Sequence, residues 1–125
     1  MPIKHYNFDN LPKGGPYSHL VEAHGFLFIS GIIPIDITKN AVIHDDIAKA
    51  TELVLNNIKV IIENAGCTMQ NIVKITVYLK DMEYFQQMNE IYKKFFPSNP
   101  PSRTCIGVAD LPAGAPIEID AIAIR

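Results

Sequence analysis

An α+β fold, one sheet with both helices on the same face, is predicted by two features of the sequence. Two segments repeat their apolar residues at helical spacing, and shorter segments between and around them run or alternate as strands do. In chain order they read β-β-α-β-α-β-β. The 125 residues suit one domain, 1–125, able to bury its own core.

Residues 16–23 (Pro-Tyr-Ser-His-Leu-Val-Glu-Ala) and 26–33 (Phe-Leu-Phe-Ile-Ser-Gly-Ile-Ile) read as the first two strands. His24-Gly25 between them fits a two-residue hairpin turn, with glycine supplying a positive φ. Pairing Ala23 with Phe26 sets His19 opposite Ser30 and Tyr17 opposite Ile32, so these four side chains share a face. A short turn region, Asp36 to Asn40, precedes the first helix. Asp45 or Asp46 caps that helix, Ile47, Ala50, Val54, Ile58, Ile61 and Ala65 form its stripe, and Gly66 stops it. Ile72 to Leu79 is the third strand, with Val73, Ile75, Val77 and Leu79 on one face and Lys74, Thr76 and Tyr78 on the other. Asp81 caps the second helix, whose buried stripe is Phe85, Met88, Tyr92 and Phe95, and Pro97 ends it. Thr104 to Ala109 and Ile117 to Ile124 complete the sheet, joined by the turn-rich Asp110-Leu-Pro-Ala-Gly-Ala. The sheet face without helices is too apolar to leave in water, which predicts an oligomer.

Composition narrows the function. A net charge of −2 and the lack of a basic run with interleaved aromatics disfavour a nucleic-acid surface. Lys93 and Lys94 read as a solvated helix end. The start, Met1-Pro-Ile-Lys-His, lacks the apolar core of a signal peptide, and no apolar run approaches the ~18 residues of a membrane span. A soluble, cytoplasmic protein is expected. Cys67 and Cys105 lie far apart and form no CxxC pair, so each reads as a free thiol. His5, His19, His24 and His44 show no metal-ligand spacing, and Lys13-Gly14-Gly15-Pro16 reads as a turn rather than a phosphate cradle.

The most informative stretch is Pro100-Pro-Ser-Arg-Thr-Cys. It sets Arg103 at the mouth of an apolar strand, and a guanidinium there presents a planar fork that matches a carboxylate in two parallel hydrogen bonds. Arg103 equally fits a snorkelling or surface-paired arginine. Cys105, on the same strand face, reads as a buried small hydrophobe rather than a nucleophile, because nothing near it in sequence lowers its pKa. Glu118 and Asp120 share one face of the last strand; they fit a solvent-facing edge, or one of them a water-orienting base. A simple hairpin of the last two strands would put Glu118 nearer Gly107 than Arg103. Tyr17 and Ser30 offer donors to a ligand or plain cross-strand packing, and Asn89 an amide on the second helix or an ordinary exposed position. On these residues alone the reading stops at a small-acid binder, or a hydrolase of small acids.

From Gly15 to Ile124 the chain resembles the RidA (YjgF) family of reactive-intermediate deaminases, also called the L-PSP endoribonuclease family. The resemblance is carried by Gly15-Pro-Tyr-Ser, Ser30-Gly-Ile-Ile-Pro, Asn57-Ile with Ala65-Gly66, Val73-Lys-Ile-Thr-Val-Tyr-Leu, Phe85-Gln-Gln-Met-Asn-Glu-Ile-Tyr, Pro101-Ser-Arg-Thr-Cys and Ile117-Glu-Ile-Asp-Ala-Ile-Ala. It implies a chorismate-mutase-like fold, a mixed β-sheet with two helices on one face, in a homotrimer with sites between subunits. It implies hydrolysis of enamines and imines such as 2-aminoacrylate and 2-aminocrotonate to 2-keto acids and ammonia, without cofactor or metal. Within it Arg103 matches the carboxylate-binding arginine and Glu118 the acid that positions water. Tyr17, Ser30, Asn89 and Cys105 match residues lining the cleft. His19 and Ile32 stand where the family often has glutamine, which bears on subgroup and substrate side chain. A keto-acid-binding regulatory trimer and an endoribonuclease are the competing readings.

Overall fold

The structure, a computed structural model, describes residues 2–125. Its main sheet has six strands in the order β1-β2-β3-β8-β6-β7: β1 Lys4–Tyr6, β2 Leu20–Ala23, β3 Phe26–Ile32, β6 Ile72–Leu79, β7 Ser102–Gly107 and β8 Ile117–Ile124. A separate two-stranded ribbon, β4 Ile35–Asp36 and β5 Ala41–Val42, occupies the expected turn region. Helices α1 (Ile47–Asn64) and α2 (Phe85–Phe95) pack on each other, with α1 lying against β3 and β8. The fold is mixed α+β, as the interleaved periodicities predict.

Local chemistry sets the element ends. His24 (φ 52°) and Gly25 (φ 81°) turn the β2–β3 hairpin with Ala23 opposite Phe26, the expected register, and positive φ at both turn positions matches the twist of the flanking strands. Asp46 caps α1, its carboxylate accepting from Lys49 N at 3.0 Å. At the other end Gly66 (φ 86°) lets its own N–H reach Glu63 O and that of Cys67 reach Ile62 O, so two orphan carbonyls are satisfied. Asp81 caps a single 3₁₀ turn, Met82–Tyr84, that runs into α2. Ile58, Ile61, Ile62, Ile75, Ile117 and Ile119 are fully buried between helices and sheet.

Several expectations are corrected. The last two strands do not form a hairpin. β8 inserts between β3 and β6, antiparallel to both, while β7 pairs parallel with β6 at the sheet edge. The segment between them therefore crosses the end of β6 rather than turning back beside β7. The first strand expected at 16–23 is regular only over Leu20–Ala23, and β1, three residues without an alternating pattern, went unread. Val73, expected on the core face, is 44% exposed. The β6–β8 register shifts between Ile72 and Lys74, so Val73 is an extra residue turned outward and Ile72 takes its place in the core. Of the α2 stripe, Met88 and Tyr92 are buried whereas Phe85 and Phe95 are partly exposed. The helix-free face carries exposed Phe26, Phe28, Ile106 and Ile124, with Phe26 and Phe28 stacked at 6.3 Å. No described helix is long and apolar enough to cross a membrane.

Candidate functional site

Arg103 lies on the edge strand β7 opposite Ile75, a core-face residue, so its side chain rises on the helix side. There α2 receives it. The guanidinium carbon sits 4.8 Å from the Tyr92 ring centroid and 5.6 Å from that of Phe85. Both are cation–π distances. Nη1 donates to Asn89 Oδ1 at 2.8 Å and lies 3.9 Å from Met88 Sδ. Tyr92, Asn89, Met88 and Phe85 recur on α2 at spacings of three and four, which is why one helix face can cradle a planar cation. No acidic side chain pairs with Arg103 among the described residues, and Nε and Nη2 make no hydrogen bond there. Half of the fork is thus positioned but unengaged. Cys105 follows on the same face, packed against the core; burial pushes its thiol pKa up, Arg103 pulling the other way. A thiol so held is a poor nucleophile.

Glu118 lies on the opposite face. It pairs across β6 with Tyr78 and, one strand further, with Ile106. Burial, and then the nearby charge of Asp120, raise its carboxyl pKa. The two acids differ in their bonding. Asp120 Oδ2 accepts from the Tyr78 hydroxyl at 2.9 Å, whereas no donor among the described residues reaches Glu118. A carboxylate that is desolvated yet unbonded is the one suited to hold and deprotonate a water.

The seat of Glu118 comes from β3. Ile29 pairs with Ala121 and Ile32 with Ile119, so Ser30 and Gly31 together oppose the single residue Asp120. In that bulge a Cβ on Gly31 would fall 2.8 Å from Glu118 Cδ and closer still to Oε2. Glycine is what lets the carboxylate lie against the strand. In the sequence Gly31 stands within the Ser30-Gly-Ile-Ile-Pro motif, and an isolated glycine inside a strand pattern is the signal that marks such a bulge.

Glu118, Gly31, Ser30, Ile32, His19 and Tyr17 line one cleft of about 620 Å³. Leu11, Pro12, Gly14, Gly15 and the Pro112-Ala113 turn are among its other walls. Tyr17 and His19 thus reach the same place as Ser30 and Ile32, although the regular ladder stops short of Tyr17. Its last rung is Ser30 N–H to His19 O at 3.1 Å. The Ser30 hydroxyl donates to Ser18 O at 2.7 Å and the Tyr17 oxygen accepts from Gly14 N at 3.4 Å.

The six expected site residues therefore fall into two groups. Arg103, Asn89 and Cys105 sit together at the α2 edge; Tyr17, Ser30 and Glu118 share the cleft. Two strand spacings and three residues along the strand, roughly 10 Å each way, separate Arg103 from Glu118, on opposite sides of the sheet. Within one chain the groups do not meet.

Comparison with known proteins agrees with this architecture. Residues 9–125 match the family model described as Endoribonuclease L-PSP. The chain is 46% identical to a RutC family protein of Pyrococcus horikoshii, over 94% of each chain. It superposes on Escherichia coli TdcF, solved with bound serine, with a TM-score of 0.91 at 35% identity and 98% coverage of both chains. The Escherichia coli YjgF gene product gives 0.90 at 36% identity, again over 98% of both chains. With sequence matched almost end to end and the same arrangement of strands and helices, the chain belongs to the YjgF/RutC family.

Proposed function

We propose that this protein hydrolyses small α-carboxylate enamines and imines, such as 2-aminoacrylate and 2-aminocrotonate, to 2-keto acids and ammonia. The observation that carries the reading is Arg103: held by two aromatic faces and one amide, with no acidic partner and with Nε and Nη2 unengaged. Such a fork takes a carboxylate in two charge-assisted bonds. The serine in the similar TdcF carries an α-carboxylate, which favours the same ligand class.

The chemistry needs little beyond positioning. The enamine tautomerises to an imine, whose carbon is electrophilic. Arg103 fixes the carboxylate next to that carbon. Glu118 accepts a proton from water as the oxygen attacks and passes it to the imine nitrogen, giving a tetrahedral carbinolamine; it then takes the carbinolamine hydroxyl proton and delivers it to nitrogen as the C–N bond breaks, releasing keto acid and ammonia. A carboxyl pKa raised by burial makes Glu118 a stronger base than an exposed glutamate. Arg103 and Glu118 lie on opposite faces of one chain, so we assign the working site to a junction between protomers of a homotrimer in the cytoplasm. One subunit contributes Arg103, Asn89 and Cys105, and its neighbour Tyr17, Ser30 and Glu118.

The test couples a serine or threonine dehydratase to this protein and follows the appearance of keto acid. The parent should speed it. Arg103→Ala, with its assembly verified, should lose the gain, and Arg103→Lys should recover little because an ammonium lacks the planar fork. An unchanged rate in Arg103→Ala overturns the mechanism. Saturable binding of 2-ketobutyrate by a parent that gives no acceleration would replace it with a metabolite-sensing role.

A further inference from the structure

His19 is 2% exposed and stacks on Phe8, ring centroids 5.7 Å apart. Its Nδ1 accepts the backbone N–H of Phe8 at 3.0 Å, so that nitrogen carries no proton and the neutral ring bears its hydrogen on Nε2. Nε2 is closed off from solvent with no acceptor in full hydrogen-bond geometry, although the backbone of Leu11 and Pro12 lies near enough to act on the ring. The His19 carbonyl meanwhile takes Ser30 N–H, tying the residue to β3. One side chain thus joins the sheet to the turn Phe8–Leu11, which is closed by Leu11 N–H to Phe8 O at 3.0 Å. That turn leads into Leu11, Pro12, Gly14 and Gly15, which line the cleft holding Glu118.

We propose that His19 is a positioning residue: its neutral ring clamps the Phe8–Gly15 segment against the sheet, and protonation releases that wall of the cleft. A protonated Nδ1 would direct its hydrogen at the hydrogen of Phe8 N–H. Two donors then face each other, and the segment must move away for the charged ring to be solvated. Burial lowers the pKa of His19, and the positive charge of Lys13 lowers it further, while the Leu11 and Pro12 backbone opposes both. Glu118 of β8 and Tyr17 also line the cleft, and α1 contributes the neutral Asn57. The sign follows. The released ring titrates near ~6.5 and the clamped ring below it. The clamp is intact above ~6.5 and is lost as pH falls from there to the clamped ring's own pKa, by up to about tenfold per pH unit.

Only the effect on catalysis rests on the proposed deaminase reading; the clamp itself does not. It is tested by amide hydrogen exchange read by NMR at Phe8 between pH 7.5 and 5, corrected for intrinsic exchange rates. In the parent, Phe8 protection should fall as pH drops below ~6.5, while core amides such as Ile75 keep theirs. His19→Gln keeps an acceptor for Phe8 and a donor beside it but does not titrate, so its Phe8 protection should persist and be flat with pH. Parent protection that ignores pH, or His19→Gln showing the same acid loss, overturns the proposal. If His19→Gln does not fold, the parent decides alone. The His19 ring and the Phe8 amide must then titrate with one midpoint, and two midpoints overturn the proposal. A deaminase assay that fails at Arg103 leaves this measurement unaffected.

Discussion

A guanidinium does not hold itself in place; at position 103 the work falls to four side chains of one helix. Asn89 fixes one end of the fork by a 2.8 Å bond, and the faces of Tyr92 and Phe85 supply attraction without consuming the remaining donors. An acid in place of Asn89 would neutralise the cation and compete with any ligand. Tyr92 is the less obvious choice. Its ring is needed, yet its hydroxyl is buried without a partner and its pKa is pushed up by burial to about 12. An unsatisfied buried hydroxyl costs about 1–3 kcal/mol. Tyr92→Phe should therefore raise stability by about 1 kcal/mol in chemical denaturation while keeping the deaminase rate, since the aromatic face remains. A variant of unchanged stability that loses several-fold in rate would instead mean that the hydroxyl meets the ligand or a neighbouring subunit.

At the scale of elements, the site depends on an irregular feature that alternation cannot announce. The β3 bulge at Ser30-Gly31 seats Glu118, and because the atoms crowding a Gly31 Cβ belong to the end of a flexible side chain, Gly31→Ala should fold with little loss. The Glu118 carboxylate must then shift, and a shift of about 1 Å at a catalytic group is worth up to about a hundredfold in rate. The expected pattern is an unfolding midpoint near the parent's with kcat down at least tenfold; a parent-like kcat would remove Glu118 from the chemistry. Much of the fold was readable for sound reasons. The His24-Gly25 turn, the Asp46 cap, the Gly66 stop and the spans of β6 and β8 each have a local cause within a few residues. The neighbours of β7 were not readable, because an apolar run carries no mark of whether it pairs parallel or antiparallel. Assuming a hairpin gave Glu118 the wrong neighbours. Asn89 and Arg103 were each named from the chain, but their bond was not, since it crosses from helix to edge strand and no periodicity reports it. Tyr92 is buried as its stripe position predicts and Phe85 only partly so, and helical spacing alone marks neither ring as a support for the cation.

For the whole molecule, the sheet itself is the obstacle that the proposed mechanism must get around. It stands between Arg103 and Glu118, and no side-chain rotation carries either through a sheet whose core face is packed with Ile75, Ile117 and Ile119. The face bearing Glu118 also carries exposed Phe26, Phe28, Ile106 and Ile124, apolar area that association would remove from water. On the proposed mechanism assembly and catalysis are one requirement: the contact that would bury these side chains would also bring one subunit's edge to another's cleft. This makes a quantitative prediction for mixed assemblies. Arg103→Ala and Glu118→Gln proteins, each inactive alone, are unfolded together in denaturant and refolded as an equal mixture. In a ring of three shared sites, each site draws Arg103 from one subunit and Glu118 from the next. A site is intact only when both neighbours happen to supply the unaltered residue, which random assembly grants to about one site in four. Activity should thus return to roughly a quarter of the parent's, and size-exclusion chromatography with light scattering should show the same trimer before and after mixing. Two inactive variants that stay inactive together, in trimers shown by mass spectrometry to contain both chains, would place Arg103 and Glu118 in unrelated roles and end the shared-site mechanism.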